Sequence, residues 1–410
     1  MPSWPICFVH ASDFHLEQLP TGLADVPDHL VELLVESPYL AAERIFDAAI
    51  EQRADFVVLA GDVFDPQAAG PRGVLFLVEQ FQKLRERGIA VYWCGGHSDL
   101  VDRGIAGVEW PDNVYLFPTD RAEEFICTQK DRQLARLLGR SNDRRTRLIG
   151  DDYPSERSPL FTVAVAHVGE GEVIQAHADV DYWALGGKHD SQTVPVPRGL
   201  GHYPGTPQGR SPTESGAHGC TVVQVEIDGH IRLVPHPTDV VRWLEERVEL
   251  PEQSGLERLE MILSARLEHL RAECPQVALM VRWHIDANPR VLSQIRSGKQ
   301  GQELLDRLRR KFGHESPAAW SVSLEAIGEV EVSPVWYEQE NMLGDFLREV
   351  RRLQRDEESP LDLSGFLEES VVDPALSDLM QVSDPAARRR VLGHVATLGV
   401  DLLATEDSTS

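Results

Sequence analysis

The sequence predicts an α/β protein in which a layered α/β domain precedes a smaller α+β domain. In the first half, short apolar runs alternate with segments whose apolar residues recur at helical spacing. The character of the chain changes near Thr238, and 410 residues are too many for one ordinary core. We therefore expect domains at residues 1–240 and 241–345, followed by a helical, acidic tail at 346–410.

The first half follows a β-α-β-α-β pattern. Apolar strand-like runs begin at Ile6, Phe56 and Ile89. Residues Leu40–Gln52 and Val74–Arg87 have the spacing of amphipathic helices, and Gly88 is suited to end the second one. Further strands are predicted at Phe161–Ala166, Tyr182–Leu185, Thr221–Glu226 and Ile231–Val234. Asp228-Gly229 predicts a hairpin turn between the last two.

The second half mixes helices and strands without an alternating order. Helices are predicted at Leu256–Glu273 and Gln302–Lys311, and strands at Val277–Ile285 and Glu329–Val332. From Asp356 onward the chain is rich in acidic residues and punctuated by proline, and it closes with an amphipathic segment at Pro385–Leu403. This composition predicts a tail with little core of its own.

Composition is that of a globular protein, with 42% hydrophobic residues and a net charge of −26. No apolar run is long enough to span a membrane and no signal core is present, so no membrane contact and a cytoplasmic location are expected. Five scattered cysteines indicate neither a disulfide framework nor a zinc ribbon. The negative charge means that any contact with nucleic acid must be local, metal-mediated or supplied by a partner.

Aspartate or histidine follows five successive predicted strands. In an open α/β sheet, functional residues gather at the carboxyl ends of strands. Isolated residues of these types usually cap helices or shape turns, but five in succession are hard to assign to packing. The residues are Asp13 and His15, Asp62 and Asp65, His97 and Asp99, His167, and His189.

This series resembles the calcineurin-like metallophosphoesterase family, whose pattern is DxH, GDxxD, GNHD, H and GHxH. The segments His10–Leu16 and His202–Arg210, the latter continuing to Glu214 and Gly219, are most similar to the SbcD and YhaO branch of DNA-repair exonucleases. The resemblance implies a layered β-sandwich flanked by helices, with an α+β cap domain. It covers residues 5–245 with specific motifs and reaches about residue 350 more loosely.

Members of this family hold two divalent metals, usually manganese, bridged by one aspartate. By resemblance, the first metal would take Asp13, His15, Asp62 and His189, and the second would share Asp62 and take His167. The second metal's other two ligand positions are Gly96 and Gly187 here. Because glycine has no side-chain donor, we expect one well-bound ion, most simply Mn²⁺, and a second that is weak or absent.

Three nearby residues offer substitutes for the lost ligands. Asp99 or Asp190 could supply a carboxylate, or Lys188 could place its ammonium at the second position. The resemblance also makes His97 a catalytic residue that stabilises the transition state or assists the leaving group. Gln208 and Arg210 are candidates for substrate binding, and they could equally brace the floor of the site.

The resemblance predicts a metal-dependent phosphodiesterase that acts on DNA ends. It implies an SMC-like coiled-coil ATPase as partner, docked through residues 346–410, and it leaves a homodimer open. One alternative is a catalytically degenerate scaffold or regulatory subunit of such a complex, which the two glycines favour. Another is a phosphoesterase for nucleotides or other small molecules, which the acidic charge favours.

Overall fold

A computed structural model describes residues 4–23, 27–100, 108–143, 148–169, 171–175, 179–296, 299–327, 334–356, 361–362, 381–382 and 384–403. The chain divides into two compact units. The first comprises residues 1–244, 271–280 and 316–319, and the second comprises 245–270, 281–315 and 320–410. The division into three segments expected from the sequence stays a prediction.

The first unit contains most of the strands. In chain order, its elements are β1 (Ile6–Ala11), α1 (Asp28–Glu51), β2 (Phe56–Ala60), α2 (Pro66–Glu86), β3 (Ala90–Cys94), β4 (Val114–Leu116), β5 (Glu123–Gln129), β6 (Arg132–Gly139), β7 (Leu148–Ile149), β8 (Phe161–His167), β9 (Val173–Ile174), β10 (Tyr182–Gly186), β11 (Gln192–Val194), β12 (Leu200–Tyr203), β13 (Gly219–Val225) and β14 (Ile231–Pro237). The strands β1, β2, β3 and β4 run parallel, as do β6, β8, β10 and β12. This parallel order brings the carboxyl ends of successive strands to one edge.

Two six-stranded sheets form a layered sandwich, with strand orders β14-β13-β1-β2-β3-β4 and β11-β12-β10-β8-β6-β5. Side chains alternate between the two faces, as the pleat of a strand requires. Thus Phe56 and Val58 of β2 join the core between the sheets, whereas Val57 and Leu59 pack toward α1 and α2. This is the α/β sandwich flanked by helices that the sequence predicted.

The second unit combines a small sheet with helices, and some of its elements continue across the unit boundaries. The elements are β15 (Val241–Glu249), α3 (Leu256–Glu273), β16 (Ala278–Asp286), α4 (Pro289–Arg296), α5 (Lys299–Phe312), β17 (Ala319–Ile327), a 3-10 helix (Pro334–Glu338), α6 (Met342–Arg355), β18 (Leu361–Asp362), β19 (Gln381–Val382) and α7 (Pro385–Leu403). The sheet has the order β15-β16-β17. The helices α6 and α7 share a hydrophobic cluster that includes Leu347 and Leu392.

Several predicted boundaries differ from the observed ones. The helix α1 begins at Asp28 rather than Leu40 and contains Pro38, and α2 begins at Pro66, where Asp65 caps its first turn. Strand β17 was not predicted, and the strand predicted at Glu329–Val332 lies outside the described residues. Among the described residues, none of the helices has an apolar stretch of the length that a bilayer requires.

Candidate metal centre

The predicted site residues lie at the carboxyl edge of both sheets, within the first unit. Each sits in or just beyond the end of a strand, where the parallel order gathers the loops. Asp13 and His15 follow β1, Asp62 follows β2, Gly96 and His97 follow β3, His167 ends β8, and Gly187 and His189 follow β10. These residues share one edge because the strands that precede them run parallel.

Three of these residues have left-handed backbone conformations that are uncommon outside glycine. The φ angles are 56° at Asp13, 45° at His15 and 53° at Asp62. The loops after β1 and β2 hold this geometry together, because the Asp13 N–H donates to Gly61 O at 2.9 Å and the His15 N–H donates to Asp62 O at 3.0 Å. Such conformations persist where the surroundings enforce them, and they concentrate at functional sites.

Within the described residues, two groups of side chains could each hold a metal ion. The first is Asp13, His15 and His189, and the second is Asp62, His97 and His167. In each group the candidate ligand atoms lie within 4.8 Å of one another. The carboxylate of Asp62 stands between the groups, since its Oδ2 is 3.7 Å from His15 Nε2 and 3.5 Å from His167 Nε2.

The other oxygen of Asp62 is held by the loop after β3. The backbone N–H of Ser98 donates to Asp62 Oδ1 at 2.8 Å, and its hydroxyl donates to the same atom at 3.0 Å. Oδ2 is therefore the oxygen that faces both histidines. Although burial acts to raise the pKa of Asp62, nearby His167 and His15 and the Ser98 donors hold it below its usual range.

Burial also shapes the ionisation of the other buried groups in the centre. Burial raises the pKa of Asp13, even though Ser12 and the Gly187 N–H donate to its carboxylate. Burial acts to lower the pKa of His167, but the Asp62 and Asp13 carboxylates raise it overall. The carboxylates that attract this proton would also attract a divalent cation.

The ring of His189 is held by the carboxylate of Glu214, a residue for which the sequence predicted no role. Its Nδ1 lies 2.6 Å from Glu214 Oε1, an arrangement that orients metal-binding histidines. Burial acts to raise the pKa of Glu214, but hydrogen bonds from His189 and the Arg210 N–H, together with the Arg210 charge, lower it to about 2. Glu214 is thus ionised where it contacts His189.

Arg210 and Gln208 contact the protein itself. The Arg210 guanidinium donates to Gln18 Oε1 at 2.6 Å and lies 3.4 Å from Glu214 Oε1. The Gln208 side chain is buried, and its Oε1 accepts from the Val240 N–H at 2.9 Å. These contacts favour bracing of the site floor over substrate binding, the two roles that the sequence left open.

The surroundings of Gly96 and Gly187 are closely packed, and neither position has space for a side chain. A Cβ at Gly96 would press on the Asp62 carboxylate and lie 2.6 Å from the Asp62 amide nitrogen. At Gly187 it would press on Val168 O, and the φ of 101° disfavours a side chain. The Gly187 N–H instead donates to Asp13 Oδ2 at 3.0 Å. Neither position can take a side chain unless the backbone moves.

The expectation that Asp99 could replace a lost ligand is wrong, because its carboxylate is fully buried and already engaged. It accepts hydrogen bonds from Asp62 N at 2.9 Å, Val63 N at 3.2 Å, Gly96 N at 2.6 Å and Trp93 Nε1 at 2.9 Å. Burial and the Asp62 charge raise its pKa to about 6. Asp99 fastens the loop after β3 to the start of the loop after β2.

The other two proposed substitutes are Lys188 and Asp190. Lys188 is exposed and its Nζ lies over the Tyr203 ring, 5.0 Å from the ring centroid. Asp190 is exposed, and it belongs to neither group. The structure gives no support to replacement of a ligand by either residue.

The donor set fits a divalent transition metal. Imidazole nitrogens together with carboxylate oxygens suit ions such as Mn²⁺, Fe²⁺ or Zn²⁺. The Nδ1 of His167 lies 3.0 Å from Ala60 O, so an Nδ1–H donated to this carbonyl leaves the Nε2 lone pair facing Asp62. The His167 ring is thus oriented as a metal ligand requires.

Comparison with known proteins gives one family match and two similar proteins. Residues 7–191 match the family model described as calcineurin-like phosphoesterase. The chain is 29% identical over 322 residues to the uncharacterized metallophosphoesterase YhaO of Bacillus subtilis (strain 168), covering 73% of this chain and 78% of that protein. The crystal structure of a dimetal phosphatase from Danio rerio is similar with a TM-score of 0.33 and 11% identity, covering 57% of this chain and 96% of that one.

Proposed function

Residues 7–191 form a calcineurin-like metallophosphoesterase domain, and on that premise we propose that the chain is a phosphodiesterase that cleaves DNA. The domain places the chain among metal-dependent hydrolases of phosphoesters. The observation that supports a working centre is the convergence of Asp13, His15, His189 and Asp62 from three separate loops. Manganese is the ion we propose for this first group.

The chain's own residues hold and orient this centre. Asp13 and Asp62 supply negative charge, His15 and His189 supply imidazole donors, and Glu214 fixes the ring of His189. A divalent ion held by these residues would supply an activated water as nucleophile and would offset negative charge on the phosphate. Strand ends fix all these groups, which limits the reorganisation that the reaction demands.

DNA is proposed as the substrate because of the motifs at His10–Leu16 and His202–Arg210 that resemble the exonuclease branch. Small phosphodiesters are the second candidate, because a net charge of −26 repels a polyanion. The two candidate substrates differ in how their binding or hydrolysis should depend on ionic strength. Hydrolysis of a small diester should depend weakly on ionic strength, whereas DNA binding by a local basic contact should weaken steeply with added salt.

A scaffold role is the second functional class, and the glycines at positions 96 and 187 favour it. In this role the chain would keep its fold and bind an ion but would not hydrolyse a substrate. The proposed ATPase partner is compatible with either class. In the described part of residues 346–410, Leu398 and Leu402 of α7 are exposed and could contribute apolar contacts to such a partner.

The test compares hydrolysis of bis-p-nitrophenyl phosphate and of linear DNA by the manganese-loaded chain. Asp13→Asn removes one charged donor from the first group and keeps the shape of the side chain. We expect it to lower kcat/KM at least about 100-fold. Asp190→Asn is the matched control, since this exposed carboxylate belongs to neither group, and its activity should stay within about twofold of the original.

Equal loss in both variants would contradict the assignment of the centre. A chain that binds the ion but hydrolyses neither substrate would favour the scaffold role. Cleavage of the small diester without cleavage of DNA, at low salt, would favour the small-molecule alternative.

A further inference from the structure

We propose that His97, which the resemblance makes a catalytic residue, is a ligand to a second metal ion together with Asp62 and His167. The three side chains present candidate ligand atoms within 4.8 Å of one another. The inference rests on the proposed function, because it assigns a second ion to the same centre. It concerns ion binding, so it can be tested without measuring turnover.

Two members of this second group already have suitable orientations. The His167 Nε2 is 3.5 Å from Asp62 Oδ2, and the opposite ring nitrogen faces the Ala60 carbonyl. Ser98 occupies the other Asp62 oxygen, which leaves Oδ2 directed at His167 and at His15. One carboxylate oxygen can therefore serve ions on both sides.

The third member, His97, lies close to a carboxylate, as metal-bound histidines often do. Its Nε2 is 3.8 Å from Glu172 Oε1, and its ring lies edge-on to His167 with centroids 4.9 Å apart. Glu172 is fixed in turn, because the Gly169 N–H donates to Oε2 at 2.7 Å and Asn142 Nδ2 donates to Oε1 at 3.1 Å. A carboxylate beside a histidine orients the ring and increases its basicity as a ligand.

The packing around Gly96 leaves no room for a side chain at that position. The absent side chain at position 96 would point at the Asp62 carboxylate and at His167 Nδ1, 2.9 Å from its Cβ. Asp99 is committed to four N–H groups. Among the described residues, His97 is the remaining side chain that joins Asp62 and His167 in a donor group.

The two ions should then bind with unequal affinity. The first is surrounded by Asp13, His15 and His189 with Asp62 beside them, whereas the second has Asp62, His97 and His167. A site with three protein donors fills its remaining positions with water and binds less tightly. The sequence predicted a second ion that is weak or absent, and the proposal is that it binds weakly. Its ligands would differ from those of the family pattern.

The experiment counts manganese bound per chain by equilibrium dialysis and metal analysis. The original chain should bind two ions with distinct affinities, and His97→Ala should bind only the tighter one. His230→Ala is the matched control, because it removes an exposed imidazole outside both groups, and it should still bind two. Electron paramagnetic resonance should show coupled manganese in the original chain and single-ion spectra in His97→Ala.

Two ions bound by His97→Ala with unchanged affinities, or one ion bound by the original chain, would overturn the proposal. Should His97→Ala fail to hold even the tighter ion, Glu172→Gln decides, since it changes no proposed ligand. A Kd for the weaker ion raised about tenfold or more supports the proposal. An unchanged Kd contradicts it. Loss of hydrolysis with both ions retained would bear on the proposed function alone.

Discussion

At the scale of single residues, a buried polar network lies under the metal centre. His10 Nδ1 and the Tyr182 hydroxyl are 2.9 Å apart, and His202 Nε2 and the Thr221 hydroxyl are 2.8 Å apart. Burial lowers the pKa of His202 to about 4 and lowers that of His10 well below its ordinary value. Both rings are therefore neutral in the folded protein at neutral pH.

This network predicts a defined dependence of stability on pH. Below about pH 6.5 the unfolded chain protonates His202 while the folded chain does not until about pH 4. The free energy of unfolding should therefore fall as the pH falls through this window. His202→Gln should reduce that fall by about 2 kcal/mol. Urea unfolding at neutral pH and near the pKa of His202, about 4, measures the free energy of unfolding of both chains.

His230→Gln is the matched control, because His230 is exposed, and its pH dependence should parallel that of the original chain. If the free energy of unfolding depends on pH in the same way in His202→Gln and in the original chain, His202 does not cause the loss of stability at low pH.

The sequence predicted which residues would form the proposed centre but not how they are held. Asp13, His15, Asp62, His167 and His189 could be identified because Asp and His side chains follow strand ends in a fixed order. The left-handed backbones and the role of Glu172 could not, because they depend on contacts between distant loops. No local pattern marks a residue whose partner lies 75 positions away in the chain.

At the scale of elements, the loop after β3 packs closely against the loop after β2. Within this loop, the Ser98 N–H donates to the Asp62 carboxylate and the Asp99 carboxylate accepts from the Asp62 N–H, while the Gly96 N–H donates to Asp99. Gly96 permits this approach because it lacks a Cβ. The two glycines therefore have packing roles, so adding the family's side chains would not simply restore a ligand.

Gly96→Ala is expected to lower the free energy of unfolding by about 2 kcal/mol, since the added methyl would press on Asp62 and His167. It should also weaken binding of the ion, because the carboxylate must move. Thermal unfolding and a manganese titration measure both effects. Gly255→Ala, where a Cβ meets open space, should change neither. Full stability and affinity in Gly96→Ala would refute this account of the loop.

Element prediction succeeded where the apolar pattern was strong. The buried strands β2, β3, β8 and β10 were predicted within one or two residues, because continuous apolar runs mark strands covered on both faces. The start of α1 was missed because Pro38 lies inside the helix, and prolines usually mark boundaries. Strand β17 could have been predicted, because Trp320, Val322 and Leu324 alternate with Ser321, Ser323 and Glu325.

At the scale of the whole molecule, the charge of −26 limits how the centre can meet a nucleic acid. Repulsion must be offset by the ions themselves or by a partner. All the residues assigned to the centre lie in the first unit, so its chemistry can be argued from that unit alone. The second unit's contribution to substrate or partner binding stays a prediction of the resemblance.

The account depends on Asp62 standing between two groups of metal ligands. Anomalous diffraction at the manganese edge, from crystals grown with Mn²⁺, tests this most directly. We predict one peak bounded by Asp13, His15, His189 and Asp62, and a weaker one bounded by Asp62, His97 and His167. Absence of any peak within coordination distance of the Asp62 carboxylate would contradict it.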